Sequence, residues 1–211
     1  MKTIKNIIFD LGGVIINLDY ALTIYEFNRL SEIPFESIYT QAKQNELFNE
    51  FETGKISELV FFEELQKTLR YKGSLKNLIH AWNAMLLDVP QKRLDFLIDI
   101  KLHYKTFLLS NTNETHIEAF EKELYLRNGV KNFSDYFDNT YYSCRINMRK
   151  PDREIFEFVL AENKLVAEET IFIDDSIQHV KAAGDCGINA YLLSKPNDVI
   201  HLFNELNLLQ T

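Results

Sequence analysis

Short apolar runs that end in polar residues recur along the chain, and segments with helical spacing separate most of them. The five apolar runs are NIIFDLGGVII at 6–16, TFLLSN at 106–111, TYYSC at 140–144, TIFIDD at 170–175 and NAYLLS at 189–194. Runs of this length are typical of buried strands. Helical spacing follows at 114–124, 153–163 and 177–187. Strands that alternate with helices predict an α/β fold with a doubly wound parallel sheet.

The interval from Leu18 to Pro90 has a different pattern. Its apolar positions follow helical spacing throughout, it is rich in Phe, Leu and Glu, and it contains no clear strand. A helical block inserted between the first and second strands would lie over the carboxyl edge of the sheet, where it could cover a ligand. We therefore predict a helical cap at 18–90 and a core formed by 1–17 and 91–211. Interior positions of the cap are expected at Phe48, Phe51, Leu59, Phe62, Leu65 and Trp82.

Composition and charge narrow the class of protein. The 211 residues are 46% hydrophobic and 26% charged, which is ordinary for a soluble globular protein, and the net charge is −8. This charge disfavours nonspecific binding to nucleic acid or to an anionic membrane. No apolar segment reaches 18 residues, so we expect a cytoplasmic protein. We also expect a monomer or a weak homodimer. Cys144 and Cys186 lack metal-ligand spacing and are expected to be buried free thiols.

Polar side chains stand where the first four strand regions end. They are Asp10, then Ser110 and Asn111, then Lys150 within RKPD, and finally Asp174 and Asp175. The carboxyl ends of parallel strands share one edge, so these groups are expected to converge. Three clustered carboxylates repel one another unless a cation lies among them, and oxygen ligands favour Mg²⁺.

A lysine and a hydroxyl beside a cation would complete a phosphate pocket, in which an aspartate can attack phosphorus and form an aspartyl-phosphate. Each residue also has a purely structural alternative. Asp10 could form a turn with the two glycines that follow, and one of residues 110–113 is expected to cap the helix that begins near Glu114. Lys150 could lie in a solvated turn before Pro151, and Asp175 could cap the next helix.

Four motifs in this order resemble a known family. FDLGGVI, LLSNTN, RKPD and FIDDS, with a helical insert after the first, are similar to the motifs of the haloacid dehalogenase-like hydrolase superfamily. FETGKIS at 51–57 and AWNAML at 81–86 resemble the cap of its sugar-phosphate phosphatase branch, which includes α-D-glucose-1-phosphate phosphatase and the phosphatase domain of soluble epoxide hydrolase.

The resemblance implies a Rossmann-like core that hydrolyses small phosphate monoesters, such as sugar phosphates, with Mg²⁺. It implies Asp10 as the nucleophile and Lys150 as the bridge between nucleophile and phosphate. Ser110 and Asn111 would bind the phosphate. The implied metal ligands are Asp10, the Gly12 carbonyl, Asp174 and Asp175.

The sequence departs from the family pattern at Gly12, where most members carry a second aspartate that acts as acid and base. Without it, the enzyme would need a leaving group that departs easily, or would recruit water or a cap side chain as the proton donor. Two other functions stay open: a metal-independent haloacid dehalogenase, and a phosphate-binding or regulatory descendant, since the missing group is worth about 10²–10⁴ in rate. The Asp174–Asp175 pair favours the phosphatase.

The histidines share no metal-ligand spacing. Surface or packing roles are expected for His80, His103, His116, His179 and His201.

Overall fold

One parallel sheet of five strands forms the centre of the computed structural model, which describes residues 3–39, 46–194 and 196–209. The strands are β1 (Asn6–Phe9), β2 (Lys105–Ser110), β3 (Asn139–Tyr142), β4 (Thr170–Asp174) and β5 (Asn189–Leu192). Their order is β3-β2-β1-β4-β5, and all neighbours are parallel. All five coincide with the predicted runs, and the α/β class is confirmed. Because β1 is central, Asp10 lies between the ends of β2 and β4.

Ten α-helices lie among the described residues. They are α1 (Tyr20–Leu30), α2 (Glu46–Glu52), α3 (Glu58–Thr68), α4 (Leu75–Asn83), α5 (Gln91–Lys101), α6 (Glu114–Asn128), α7 (Ser143–Ile146), α8 (Arg153–Glu162), α9 (Ile177–Asp185) and α10 (Val199–Glu205). Short 3₁₀ turns lie at Phe35–Ser37, Phe133–Tyr136 and Ala167–Glu169. The helices predicted at 114–124, 153–163 and 177–187 correspond to α6, α8 and α9.

Both faces of the sheet are covered, which explains why its strands are uniformly apolar. On one face Phe9 stacks on Phe203, with ring centroids 5.9 Å apart. On the other face Ile8 and Phe172 are fully buried in a cluster with Phe156. Alternate residues of β1 and β4 therefore supply two separate apolar layers.

The described residues between 18 and 90 form helices joined by turns and loops, and Leu18 makes a β-bridge with Leu86. Their buried side chains form a third cluster, which is mostly aromatic and has Trp82 at 1% exposure. The interior positions predicted for this segment are buried except Leu59, which is 57% exposed. The inward stripe of α3 is Phe61, Phe62 and Leu65, and Leu59 is about 120° away from Leu65 around the helix.

Two further expectations concern membrane-spanning helices and the two cysteines. None of the described helices combines the length and apolarity that crossing a membrane requires. Cys144 and Cys186 are free, as expected, but they are only half-buried rather than buried.

Candidate active site

The predicted residues converge at the carboxyl edge of the sheet. The Asp10 N–H donates to the Ile173 carbonyl at 2.9 Å, which continues the β1–β4 pairing and brings Asp10 to the end of β4. A cavity of about 110 Å³ lies there. Its lining includes Asp10, Gly12, Ser110, Asn111, Lys150 and Asp175. Asp174 is fully buried behind this lining.

Lys150 joins two of the carboxylates. Its Nζ donates to Asp10 Oδ1 at 2.7 Å and to Asp174 Oδ2 at 2.6 Å, and the residue has no exposed surface. Burial alone would lower the pKa of Lys150, but the two carboxylates outweigh it and raise the pKa. Lys150 is therefore a buried ammonium beside Asp10, and the alternative of a solvated turn is wrong.

Asn111 fixes the main chain at Lys150. Its Nδ2 donates to the Lys150 carbonyl at 2.8 Å, and its Oδ1 accepts from the Lys150 N–H at 2.9 Å. Both polar atoms of this amide are thus used to position Lys150. Asn113 is the N-cap of α6, since its Oδ1 accepts from the His116 N–H at 3.0 Å. Among residues 110–113, Asn113 is thus the helix cap, whereas Ser110 and Asn111 line the cavity.

The acidic residues form a cluster that could hold a metal ion. Ligand atoms of Asp10, Asp174 and Asp175 all lie within 4.8 Å of one another. Burial, and then the other two carboxylates, raise the pKa of Asp10 against the opposing effect of Lys150. One ammonium does not balance three carboxylates, and an all-oxygen donor set suits Mg²⁺. The residues therefore fit a divalent cation.

Asp174 accepts hydrogen bonds from three different groups. It accepts from the Ser176 N–H at 2.7 Å, from His179 Nδ1 at 3.0 Å and from Lys150. Burial would raise the pKa of Asp174, but Lys150 and His179 lower it below its usual range. The N-cap position of α9 belongs to Ser176, so Asp175 is not the cap of that helix.

The two glycines after β1 have different roles. Gly13 has φ +71°, and a Cβ there would collide with Asp175 Oδ2. Gly13 therefore allows Asp175 to approach the end of β1. Gly12 is not left-handed, and a Cβ there would lie 2.6 Å from Leu18 Cδ1, the far end of a flexible side chain.

Several lining residues come from the helical segment or from positions beside the motifs, and were not predicted. They are Tyr20, Tyr39, Glu52, His116, Arg149 and His179. Arg149 Nη2 lies 3.1 Å from Glu52 Oε2, and Arg149 also donates to Asn49. The packing or surface role expected of His179 is wrong, because it bonds Asp174. His179 lies on the first turn of α9, shortly after the paired aspartates, and this position could have indicated a contact with them.

His116 lines the cavity and packs against Trp82 of the helical segment. Their rings are stacked with centroids 4.8 Å apart, and His116 Nε2 lies 3.2 Å from the Trp82 carbonyl oxygen. Burial lowers the pKa of His116 to about 4, so the ring is neutral near pH 7. The packing role expected of His116 is confirmed.

A larger groove of about 730 Å³ adjoins the cavity. Arg149 and His179 line both spaces, whereas Asp10, Ser110, Lys150 and Asp175 line only the smaller cavity. The reactive groups therefore lie in the smaller space. The groove is mostly polar, with a lining that includes Asn49, Thr53, Lys55, Asn147, Asp152 and Gln178.

The chain is similar to known proteins, two of them curated. A curated relative, D-ribitol-5-phosphate phosphatase from Bacteroides thetaiotaomicron, is 28% identical over 188 residues, which are 89% of this chain and 91% of that protein. Bifunctional epoxide hydrolase 2 of Rattus norvegicus is 29% identical over 92 residues, 44% of this chain and 17% of that protein.

A solved structure is also similar. It is a mutant haloacid dehalogenase family enzyme from Bacteroides thetaiotaomicron, in complex with magnesium and inorganic phosphate. The TM-score is 0.88 and the identity 34%, over 95% of this chain and 98% of that chain. A family model for haloacid dehalogenase-like hydrolases matches residues 4–187. With this match across most of the chain, the protein belongs to the haloacid dehalogenase-like hydrolases.

Proposed function

We propose that this hydrolase is a Mg²⁺-dependent phosphatase that cleaves small phosphate monoesters, in particular sugar or polyol phosphates, through an aspartyl-phosphate. Its enzyme class is that of a phosphoric monoester hydrolase. The observation that carries the proposal is Lys150, whose buried ammonium joins Asp10 to Asp174 beside an acidic cluster. This arrangement supplies a nucleophile and positive charge at one point, as phosphoryl transfer requires.

In the proposed mechanism, a carboxylate oxygen of Asp10 attacks phosphorus and the leaving oxygen departs on the opposite side. Lys150 stabilises the negative charge that spreads over the phosphoryl oxygens, and the Ser110 hydroxyl donates a hydrogen bond to one of them. Asn111 keeps Lys150 in place through its main chain. Water then attacks the phosphorylated Asp10 and regenerates the carboxylate.

The proposed metal ligands are Asp10, the Gly12 carbonyl and Asp175. Mg²⁺ at this position would neutralise charge on the phosphate oxygens. Asp174 would act either as a further ligand or through its hydrogen bonds to Lys150, His179 and the Ser176 N–H.

We assign residues 18–90 as the cap and residues 1–17 with 91–211 as the core. The two connections run side by side, since the Asn17 N–H donates to the Asp88 carbonyl at 2.9 Å and the Leu87 N–H to the Asn17 carbonyl at 3.0 Å. The separate aromatic cluster of the described cap residues supports the division. The two connections therefore meet at Asn17, seven residues after Asp10.

Two features support a sugar or polyol phosphate. The cavity is small, so a leaving group larger than a few atoms would extend into the polar groove, whose amide and charged side chains suit a polyhydroxylated molecule. A curated relative that matches 89% of this chain over 91% of its own length is named for a polyol phosphate.

The test measures phosphate release from a panel of small phosphate monoesters, with Mg²⁺ and with EDTA. We expect turnover of sugar or polyol phosphates that requires Mg²⁺ and disappears in Asp10→Asn. Halide release from 2-haloacids, unaffected by EDTA, would instead identify a dehalogenase. Binding of phosphate without turnover of any ester would identify a regulatory descendant.

A further inference from the structure

Tyr20 is a cavity residue that the proposed mechanism does not use. It is the first residue of α1, and the N-cap Asp19 accepts from the Ala21 N–H at 3.0 Å, which fixes where the helix begins. The Tyr20 ring packs against the aromatic cluster of the cap, and its side chain lines the same cavity as Asp10 and Asp175. Tyr20 therefore brings a phenol from the segment 18–90 to the lining of the cavity.

The space beside Gly12 is filled by an apolar group. Leu18 Cδ1 would lie 2.6 Å from the first side-chain atom of any residue at position 12. A proton donor for the leaving group must therefore come from another part of the cavity wall. Tyr20 follows Leu18 by two residues, on the same cap connection.

Glu52 and the two histidines of the cavity lining have established polar partners. Glu52 Oε2 lies 3.1 Å from Arg149 Nη2. The two ring nitrogens of His116 lie at the Asn113 amide and the Trp82 carbonyl, and His179 Nδ1 lies at Asp174. Tyr39 packs its ring among Phe35, Phe48 and Trp82.

We propose that the Tyr20 hydroxyl is the proton donor to the leaving group, in place of the acid that the chain lacks at Gly12. The inference rests on the proposed phosphatase function and adds a catalytic residue to it. Burial, and then Tyr39, Asp175 and Asp10, raise the pKa of Tyr20 well above its ordinary value. The phenol is therefore protonated before the reaction begins.

The proton balance closes over two steps. In the first, Asp10 bonds to phosphorus, the P–O ester bond breaks with its electron pair on the leaving oxygen, and that oxygen takes the Tyr20 proton. This step gives an alcohol, the phosphorylated Asp10 and a phenolate. In the second, water attacks phosphorus and gives its proton to the phenolate, which restores Tyr20 and Asp10 and releases inorganic phosphate.

The test compares two substrates whose leaving groups differ in basicity. Para-nitrophenolate departs with little protonation, whereas the alkoxide of glycerol phosphate needs a proton. We expect Tyr20→Phe to lower kcat for glycerol phosphate by about 10²-fold or more, and kcat for para-nitrophenyl phosphate by less than about threefold. Tyr25→Phe is the matched control, because Tyr25 lies on the same helix and is 60% exposed.

Each remaining outcome overturns the inference. Equal losses on both substrates, or no loss on either, would show that Tyr20 is not the donor. The same selective loss in Tyr39→Phe but not in Tyr20→Phe would assign the role to Tyr39. A wild-type enzyme that hydrolyses neither substrate would overturn the proposed function itself. If the wild type hydrolyses both substrates and Tyr20→Phe shows no selective loss, only the role of Tyr20 is overturned.

Discussion

At the level of single residues, the neutral imidazole of His116 joins α6 to the helical segment 18–90. Its ring stacks on Trp82 of α4, and its pKa is lowered to about 4 because the ring is buried. An exposed histidine in the unfolded chain has a pKa near 6.5. Between these values the unfolded chain binds a proton that the folded protein does not bind. The free energy of unfolding therefore rises with pH across this range.

We predict that keeping His116 neutral contributes to the free energy of unfolding in full above about pH 6.5, and that this contribution is lost as the pH falls towards 4. Its size is about 3 kcal/mol, from a pKa difference of roughly 2.5 units at 1.36 kcal/mol each. Urea denaturation at pH 7 and pH 4.5 measures it. His116→Gln should show a smaller loss of stability on acidification than the wild type, and the exposed His103→Gln should behave as the wild type does. Equal acid sensitivity in all three would refute the assignment.

Some residues of the cavity could be predicted from the sequence, and others could not. Asp10 and Asp175 were predicted because each stands at the end of a strand region, and the topology of a parallel sheet then fixes where they meet. Lys150 follows β3 only after α7, and its predicted role came from the resemblance of RKPD to a family motif. Tyr20 and Glu52 belong to the helical segment, and their approach to the cavity depends on how its helices pack against the sheet. Spacing along the chain carries no signal for that packing.

At the scale of elements, the ends of β1 and β4 bring the carboxylates together. Asp10 follows β1, Asp175 follows β4, and the left-handed Gly13 admits the Asp175 side chain. The five strands were predictable because apolar runs with polar ends are the strongest local signal in a buried parallel sheet. The exposed Leu59 was mispredicted, because an apolar residue in a short helix does not by itself identify the buried face.

From this arrangement we predict that Asp175→Asn raises the Mg²⁺ concentration required for half-maximal activity by about tenfold or more, since a neutral amide binds the cation more weakly than a carboxylate. Titration of activity with Mg²⁺ after treatment with chelator measures the change. Asp185→Asn is the control, because Asp185 is exposed at the far end of α9. An unchanged Mg²⁺ requirement in Asp175→Asn would remove Asp175 from the proposed ligands.

At the scale of the whole molecule, the segment 18–90 is held against the sheet domain by polar contacts around the cavity. Asn147 Nδ2 donates to the Thr53 carbonyl at 2.7 Å, and Thr115 Oγ1 donates to Glu58 Oε2 at 2.5 Å. Gly54, with φ +66°, lies so close to the Cys144 carbonyl that a Cβ would collide with it. Asp10 is consequently only 7% exposed.

Because the proposed nucleophile Asp10 is covered in this way, we predict that the enzyme selects its substrates by size. We expect phosphoserine as a free amino acid to be hydrolysed at least about tenfold faster, by kcat/KM, than the same phosphoserine within a folded protein, because a folded protein cannot enter beneath the cap. Phosphate release from matched concentrations of the two measures the ratio. Efficient hydrolysis of the phosphoprotein would mean that the cap does not restrict access.

The central claim is that Asp10 carries the phosphoryl group during turnover. The most direct measurement is an acid quench within a single turnover of ³²P-labelled substrate, followed by borohydride reduction and mass spectrometry of the peptide that contains Asp10. We expect ³²P on the quenched wild-type protein before reduction and reductive conversion of Asp10 after it, and neither in Asp10→Asn, which should also lose at least about 10³-fold in kcat. Phosphate release with an unlabelled Asp10, or with the label on another residue, would contradict it.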